Sequence, residues 1–376
     1  MPLQKSTKSK LLYKQRGGGT TQSRTFEIKL TDTNPLTISD INTLKASLQA
    51  LYSADSSVRI GLDFSSAKFK DDVITTDSLF NSSWTNLYFL ETFVFPSQIT
   101  DGLTLGYNYF CYNPSLKYVQ LPKNLIGYSS YAFQCSEPSG FDTSSGLKIE
   151  IPAGTKKLNK AFYYAQTLTE IVLNEGLESI NGGDFYYCKN LKSIEIPKTV
   201  TTIGNLAFEY CSSLKKLVLK EGLQTIGSQA FRQAFSNDVE PFEIPGTVTT
   251  IGDYAFMSAN IKSLKIPATV TNLGDRIFEY CHNLETIELN TNYTGTYGAL
   301  LEDCTALTTL VIGENVTNIS KITWSISNFP NLSSVEFKNP KGWKAGGVDI
   351  SEDDLKDPAT AAQKVKQYCD KNWTRS

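Results

Sequence analysis

Residues Thr199–Leu219 read TVTTIGNLAFEYCSSLKKLVL, and the chain spells much of that phrase again. GLQTIGSQAF stands at 222–231, TVTTIGDYAF at 247–256 and TVTNLGDRIFEYCHNLETIEL at 269–289. Self-similarity at a fixed period is the signature of a repeat architecture, because one short unit cannot bury its own apolar face and stacked neighbours can. Aligned on the residue that opens each LxxIxI phrase, copies begin at Leu168, Leu191, Leu214, Val239, Ile261, Leu284, Leu307 and Leu332, in steps of 22 to 25 residues. Looser copies open at Leu90 and Leu116, LKIEIP at 147–152 fits the same frame, and VRIGLDF at 58–64 begins the array. The sequence therefore predicts about eleven coils over residues 58–340, with longer inserts in the first few.

Each copy has two halves. The first alternates apolar and polar, as in Ile194-Glu195-Ile196, which is the period of a strand with one buried face. Six copies then place a proline (Pro96, Pro122, Pro152, Pro197, Pro245, Pro267), which lacks an N–H and closes the strand. The second half, IGxxAFxxC, suits a short turn or 3₁₀ arc that returns along the other side. Strands stacked about 4.8 Å apart would make a solenoid on the order of 50 Å long. Phe133, Phe162, Phe185, Phe208, Phe231, Phe256 and Phe278 recur once per coil and are expected to form an interior aromatic spine.

The phrase L-x-x-I-x-I-P-x-x-V-T-x-I-G-x-x-A-F-x-x-C-x-x-L, closest at residues 191–213 and 261–283, resembles the BspA-like (Treponema pallidum-type) leucine-rich repeat family. The resemblance covers roughly residues 58–340 and implies a right-handed α/β repeat solenoid: one parallel β-sheet, a 3₁₀ or irregular convex side, and helical caps. It further implies a bacterial surface or secreted protein that adheres to proteins of a host or neighbouring cell. Departures from the pattern are the insert QCSEPSGFDTSSG at 134–146, and Trp324 and Ile326 where AF is expected. The expected organisation is a flexible leader at 1–25, an N-terminal cap at 26–57, the solenoid at 58–340 and a C-terminal cap at 341–376. Leu36, Ile41, Leu44, Leu48 and Leu51 predict a helix in the first cap; Ala361, Val365 and Tyr368 predict one in the second, with Glu352, Asp353 and Asp354 placed early.

A formal net charge of −2 provides no field for nucleic acid or an anionic membrane. No apolar run approaches the roughly 18 residues that span a bilayer. The basic N-terminus lacks the apolar core of a secretory signal. Of the seven cysteines, Cys188, Cys211 and Cys281 each stand three residues after a spine phenylalanine and Cys304 holds the equivalent place; Cys111 and Cys135 are near variants, and Cys369 lies in the tail. Thiols in a repeat slot read as small buried hydrophobes rather than as disulfides or metal ligands, and no CxxC pair occurs. The single histidine, His282, reads as a solvated turn residue, and no cofactor-binding fingerprint follows a strand. No catalytic group, metal site or cofactor is expected.

What remains is surface. Outward strand positions should align into a face holding Glu150, Val172, Glu195, Val218, Glu243, Lys265 and Glu288 in one column and Tyr118 and Glu170 in the next. That acid-leaning face is either solvated or a docking surface for a partner protein carrying basic groups. A second candidate is the tyrosine cluster Tyr107, Tyr109, Tyr112 and Tyr118, suited to a protein interface or to sugar stacking. The sequence reading is thus a monomeric, non-enzymatic protein-binding module, with a carbohydrate-binding or carbohydrate-active protein, or a surface spacer, as alternatives. The six Asn-x-Ser/Thr sequons (Asn81, Asn292, Asn315, Asn318, Asn331, Asn372) carry little weight if the source is bacterial, as the resemblance implies.

Overall fold

The computed structural model describes residues 10–16, 24–31, 35–69, 84–97, 103–135, 146–295, 298–323 and 325–376. The chain divides into two compact units, Met1–Leu177 and Glu178–Ser376.

In the first unit, Arg24–Thr31 pairs antiparallel with Lys10–Arg16 and parallel with Val58–Asp63. Parallel pairing continues through Leu90–Val94, Tyr118–Gln120, Leu147–Glu150 and Leu168–Val172. Lys10–Arg16 and the start of Arg24–Thr31 fall inside the stretch expected as a flexible leader. Their backbone groups are used by the sheet instead, while GGG at 17–19 lies outside the described residues. Helix α1 spans Ile38–Ala54 and opens with a capping box: Thr37 accepts from the backbone N–H of Asp40, and Asp40 accepts from Thr37. It buries Ile41 and Leu48, and Tyr52 meets Phe89 at 5.7 Å between ring centroids. Leu51, expected on the buried side, is exposed.

In the second unit, Ser193–Ile196 pairs with Lys216–Leu219 in parallel register. Ser263–Ile266, Thr286–Leu289, Thr309–Ile312 and Ser334–Phe337 form a second parallel sheet. Between these two sheets the predicted strand VEPFEI at 239–244 is absent. Pro241 removes an N–H that a central strand needs. The coil keeps its apolar contact through Phe242, whose ring stacks on Phe235 at 5.2 Å.

The second half of each repeat returns as turns, one of the two forms expected, and it adds a further ladder where a single sheet was predicted. Two-residue strands at Ser179–Ile180, Thr202–Ile203, Thr225–Ile226, Thr250–Ile251 and Asn272–Leu273 pair in parallel. After each comes a ribbon with two left-handed residues four positions apart, one on either side of the spine phenylalanine. Leu206 and Tyr210 (φ 61° and 62°) flank Phe208, and Gln229 and Gln233 (57° and 52°) flank Phe231. The N–H groups of Leu206, Phe208 and Tyr210 donate to Ser228, Ala230 and Arg232 of the next coil, while those between them close turns within the coil. Non-glycine residues adopt this conformation at a cost of about 1–2 kcal/mol. They tolerate it here because it aims every second N–H at a waiting carbonyl.

The glycine of the IG pair has a separate cause. A Cβ on Gly252 would lie 2.5 Å from the backbone nitrogen of Ser228, and one on Gly274 would lie 2.4 Å from that of Asp253. Coils at this point pack backbone on backbone, as the glycine-free distance demands. Inside, the aromatic spine is present. Phe133 and Phe162 stack at 5.1 Å in the first unit. In the second, Phe185, Phe208, Phe231, Phe256 and Phe278 follow one another at 5.1, 5.3, 5.4 and 5.8 Å, with planes within 14°. Phe162 through Phe278 are fully buried. Ile326 falls in a short 3₁₀ turn, Ile326–Asn328, and Trp324 lies outside the described residues.

Near the C-terminus, helix α2 (Glu352–Lys356) carries its three acids in the first turn, and helix α3 (Pro358–Gln367) starts at Asp357, which accepts from the N–H of Thr360. Helix α3 buries Ala361, Ala362 and Val365 and packs against Ser334–Phe337. Trp343 and Trp373 close on Phe337 at 5.2 and 5.8 Å.

Two substitutions separate these contributions. Phe208→Ala is expected to destabilise the chain by about 3–5 kcal/mol through a cavity in the spine. Gly252→Ala is expected to cost about 1–3 kcal/mol by forcing coils apart. Denaturant unfolding of both against wild type checks the pair, and a neutral Gly252→Ala would contradict the close-approach account.

Candidate functional site

Outward positions on the strands do form a face in each unit. In the first, Tyr118 lies opposite Lys148, Lys148 opposite Glu170, and Glu150 opposite Val172. Tyr118 and Val172 are exposed, at 44% and 55%. In the second, Glu195 lies opposite Val218 and Lys265 opposite Glu288. Glu243 is exposed but sits in the segment that forms no strand.

The acids of this face are largely neutralised by neighbours. Lys148 pairs with Glu170 at 2.8 Å, Lys220 with Glu195 at 2.5 Å, Lys265 with Glu288 at 2.9 Å and Lys338 with Glu336 at 2.5 Å. Glu150 receives a long hydrogen bond from Asn174 at 3.5 Å. Against the upward pull of partial burial, hydrogen bonds from Lys265 and Asn290 hold the Glu288 carboxyl below its ordinary value. Exposed pairs of this kind contribute about 0–1 kcal/mol each. The column that reads as acidic in sequence is a charge-balanced surface with apolar positions between the pairs. Lys220 and Lys338 belong to no outward strand column, so alternation alone does not reveal them.

The tyrosine cluster splits. Tyr107 is 61% exposed and sits edge-on to Tyr131 at 5.6 Å, while Tyr112 and Tyr118 are exposed. Tyr109 is fully buried, packed on Phe110 at 4.8 Å and stacked on Phe95 at 6.0 Å. It therefore leaves the list of surface candidates: its apolar ring fills the coil interior, and burial pushes its phenol well above the ordinary value.

All seven thiols are free and buried. The repeat slot has an unexpected use for sulfur. The thiols of Cys211, Cys281 and Cys304 donate to the carbonyls of Phe185, Phe256 and Phe278 at 3.3, 3.0 and 3.1 Å. Each bond links a thiol to the spine residue one coil back. Burial pushes Cys111 up to about 11 and Cys135 and Cys281 up to about 12. A half-buried ion pair crosses the turn ribbon, Arg232 to buried Glu209 at 2.6 Å, and burial raises the Glu209 carboxyl against the opposing pull of Arg232. Among the described residues, no group of three His, Cys, Asp or Glu could hold a metal ion. None of the described helices is long and apolar enough to cross a membrane.

One depression, about 330 Å³, lies in the second unit beside the coil that forms no strand. It is lined by Gln233, Phe235, Ser258, Asn260, Tyr280, His282 and Asn283 together with Ala234 and Ala259. Those two alanines occupy the slot that holds cysteine in coils on either side. The missing sulfurs and the irregular 25- and 22-residue steps were the sequence signals for it.

A sequence model of the BspA type leucine rich repeat region, in six copies, matches residues 75–148, 137–238 and 233–341. The chain is a BspA-type leucine-rich-repeat protein. No curated protein matches its sequence. Among solved structures, a leucine-rich repeat protein from Bacteroides ovatus is 24% identical over 66% of this chain and 69% of its own, with a TM-score of 0.45. A leucine rich cell surface protein from Faecalibacterium prausnitzii is 22% identical over 67% and 70%, with a TM-score of 0.40. The pneumococcal vaccine antigen PcpA is 21% identical over 74% and 67%, with a TM-score of 0.40. Family membership rests on the repeat match and not on these likenesses.

The buried thiols of this BspA-type protein set a pH limit. A thiol raised by burial leaves stability unchanged below the unfolded value of about 8.5 and withdraws it as pH rises from there through the folded value. Stability is expected to fall between about pH 8.5 and about 12, and Cys281→Ala is expected to flatten part of that fall. Denaturant midpoints measured across this range test it; an unchanged slope in the variant would remove Cys281 from the account.

Proposed function

We propose that this BspA-type repeat protein is a non-enzymatic, adhesin-like binding module, secreted or held at the cell surface, that contacts another protein through its outward strand face. The observation that carries the reading is the patch on adjacent strands of the first unit, where exposed Tyr118 and Val172 stand beside the Lys148–Glu170 pair. Binding energy concentrates in a few apolar or aromatic anchors, and surrounding charges give selectivity and association rate more than affinity. Tyr118 and Val172 supply the anchors, and the lysine–glutamate pairs supply the polar surround. The partner expected is a surface protein of a host or neighbouring cell, as the family resemblance implies, and the chain is expected to bind it as a monomer.

A pull-down of the purified chain against extracellular-matrix and cell-surface proteins, followed by titration of whatever binds, tests this. Val172→Asp combined with Tyr118→Ser is expected to weaken saturable binding by at least about tenfold. Glu195→Lys with Glu243→Lys is expected to change affinity less and salt dependence more. Absence of any protein partner would leave a spacer, and binding indifferent to both double variants would move the docking surface off the strand face.

A further inference from the structure

The depression in the second unit has a chemistry of its own, separate from the strand face. No lysine, arginine, aspartate or glutamate lines it. Two lining amides stand in a relay: Asn283 donates its Nδ2 to Asn260 Oδ1, and Asn260 in turn donates to Oδ1 of Asn237, outside the lining. This relay fixes which way each amide faces, and an amide carries a second N–H and a second lone pair beyond those it uses. Gln233, Ser258 and the exposed His282 add further donors and acceptors. Tyr280, 41% exposed, presents an aromatic surface 6.2 Å from the His282 ring. The Tyr280 backbone is fixed, since its N–H donates to Glu302 of the next coil at 2.8 Å and its carbonyl accepts from His282 at 2.9 Å.

A lining without lysine or arginine gives an anionic ligand no counter-charge from its walls, and a wall of amides would leave polar groups unpaired against an apolar one. The ligand that matches is neutral, rich in hydroxyls and flat on one side. The volume falls at the lower end of the roughly 300–1,000 Å³ of small-ligand sites. The site also coincides with the break in the repeat. Ala234 and Ala259 replace cysteine, Phe235 takes a left-handed φ of 75°, and the following segment forms no strand. We propose that this depression is a binding site for a neutral saccharide, with Tyr280 as the stacking platform and Asn260, Asn283 and Gln233 as the hydroxyl partners.

The full chain is applied to an array of neutral, sialylated and sulfated glycans, and the best-bound neutral oligosaccharide is then titrated by calorimetry. Retention of neutral glycans is expected. Tyr280→Asn, which keeps a residue that tolerates the left-handed backbone, and Asn283→Ala are each expected to weaken binding by about tenfold. Both should melt like wild type, since neither side chain is buried, and Tyr107→Ser in the first unit should bind as wild type does. Absence of neutral glycan binding, binding confined to sialylated or sulfated glycans, or an affinity unmoved by Tyr280→Asn and Asn283→Ala would each overturn the proposal. Binding lost only in Tyr107→Ser would overturn it too and place a sugar site on the early coils. Protein capture by the strand face is read in a separate assay, so either result stands without the other.

Discussion

Everything in this protein depends on backbone groups meeting at the same height once per coil. A residue that loses its place in the period loses its hydrogen-bond partner in the neighbouring coil, and an unpaired buried amide is costly. That requirement explains features that look unrelated. Glycine recurs in the IG pair because coils touch there through their main chains. Leucine, tyrosine, glutamine and arginine accept left-handed dihedrals because the alternative is an N–H aimed at nothing. The thiols of Cys211, Cys281 and Cys304 reinforce the same alignment by reaching back to the spine carbonyl of the previous coil.

Where one coil breaks the requirement, the damage stays local. Pro241 ends strand pairing for its coil, yet Phe242 still reaches Phe235 and the short Thr225–Ile226 and Thr250–Ile251 strands still pair. Two columns of hydrogen bonds and an aromatic stack are redundant enough that losing one strand leaves the register of the next intact. The freed backbone and shortened side chains then shape the depression beside Tyr280.

Much of this was legible beforehand. Period, strand positions, the phenylalanine spine and the slot for buried thiols follow from residues that recur at one spacing, because the physical demand on each coil is the same. What stayed hidden depends on contacts between coils, which a single repeat does not display. The short second ladder spans two residues per coil, too few for an alternation to register. Left-handed turns are usually signalled by glycine or asparagine, and here the position holds Leu206, Tyr210 and Gln229. Tyr109 looked like its exposed neighbours in a cluster defined by composition, but it holds the inward slot before Phe110 that Ala207 and Ala230 fill in other coils. The acid column misled for a related reason: Lys220 and Lys338 reach it from outside the strand pattern, so its neutralisation is a fact of three dimensions.

The two hydrogen-bond columns on the turn side run in opposite senses. Leu206, Phe208 and Tyr210 donate toward the following coil, whereas Gln224, Thr225 and Gly227 donate toward the preceding one. In an α-helix all such bonds point one way, and their dipoles sum to partial charges at the ends. Here three bonds in each direction per coil oppose one another. On the turn side, added repeats therefore bring no dipole that sums along the array as a helix's does.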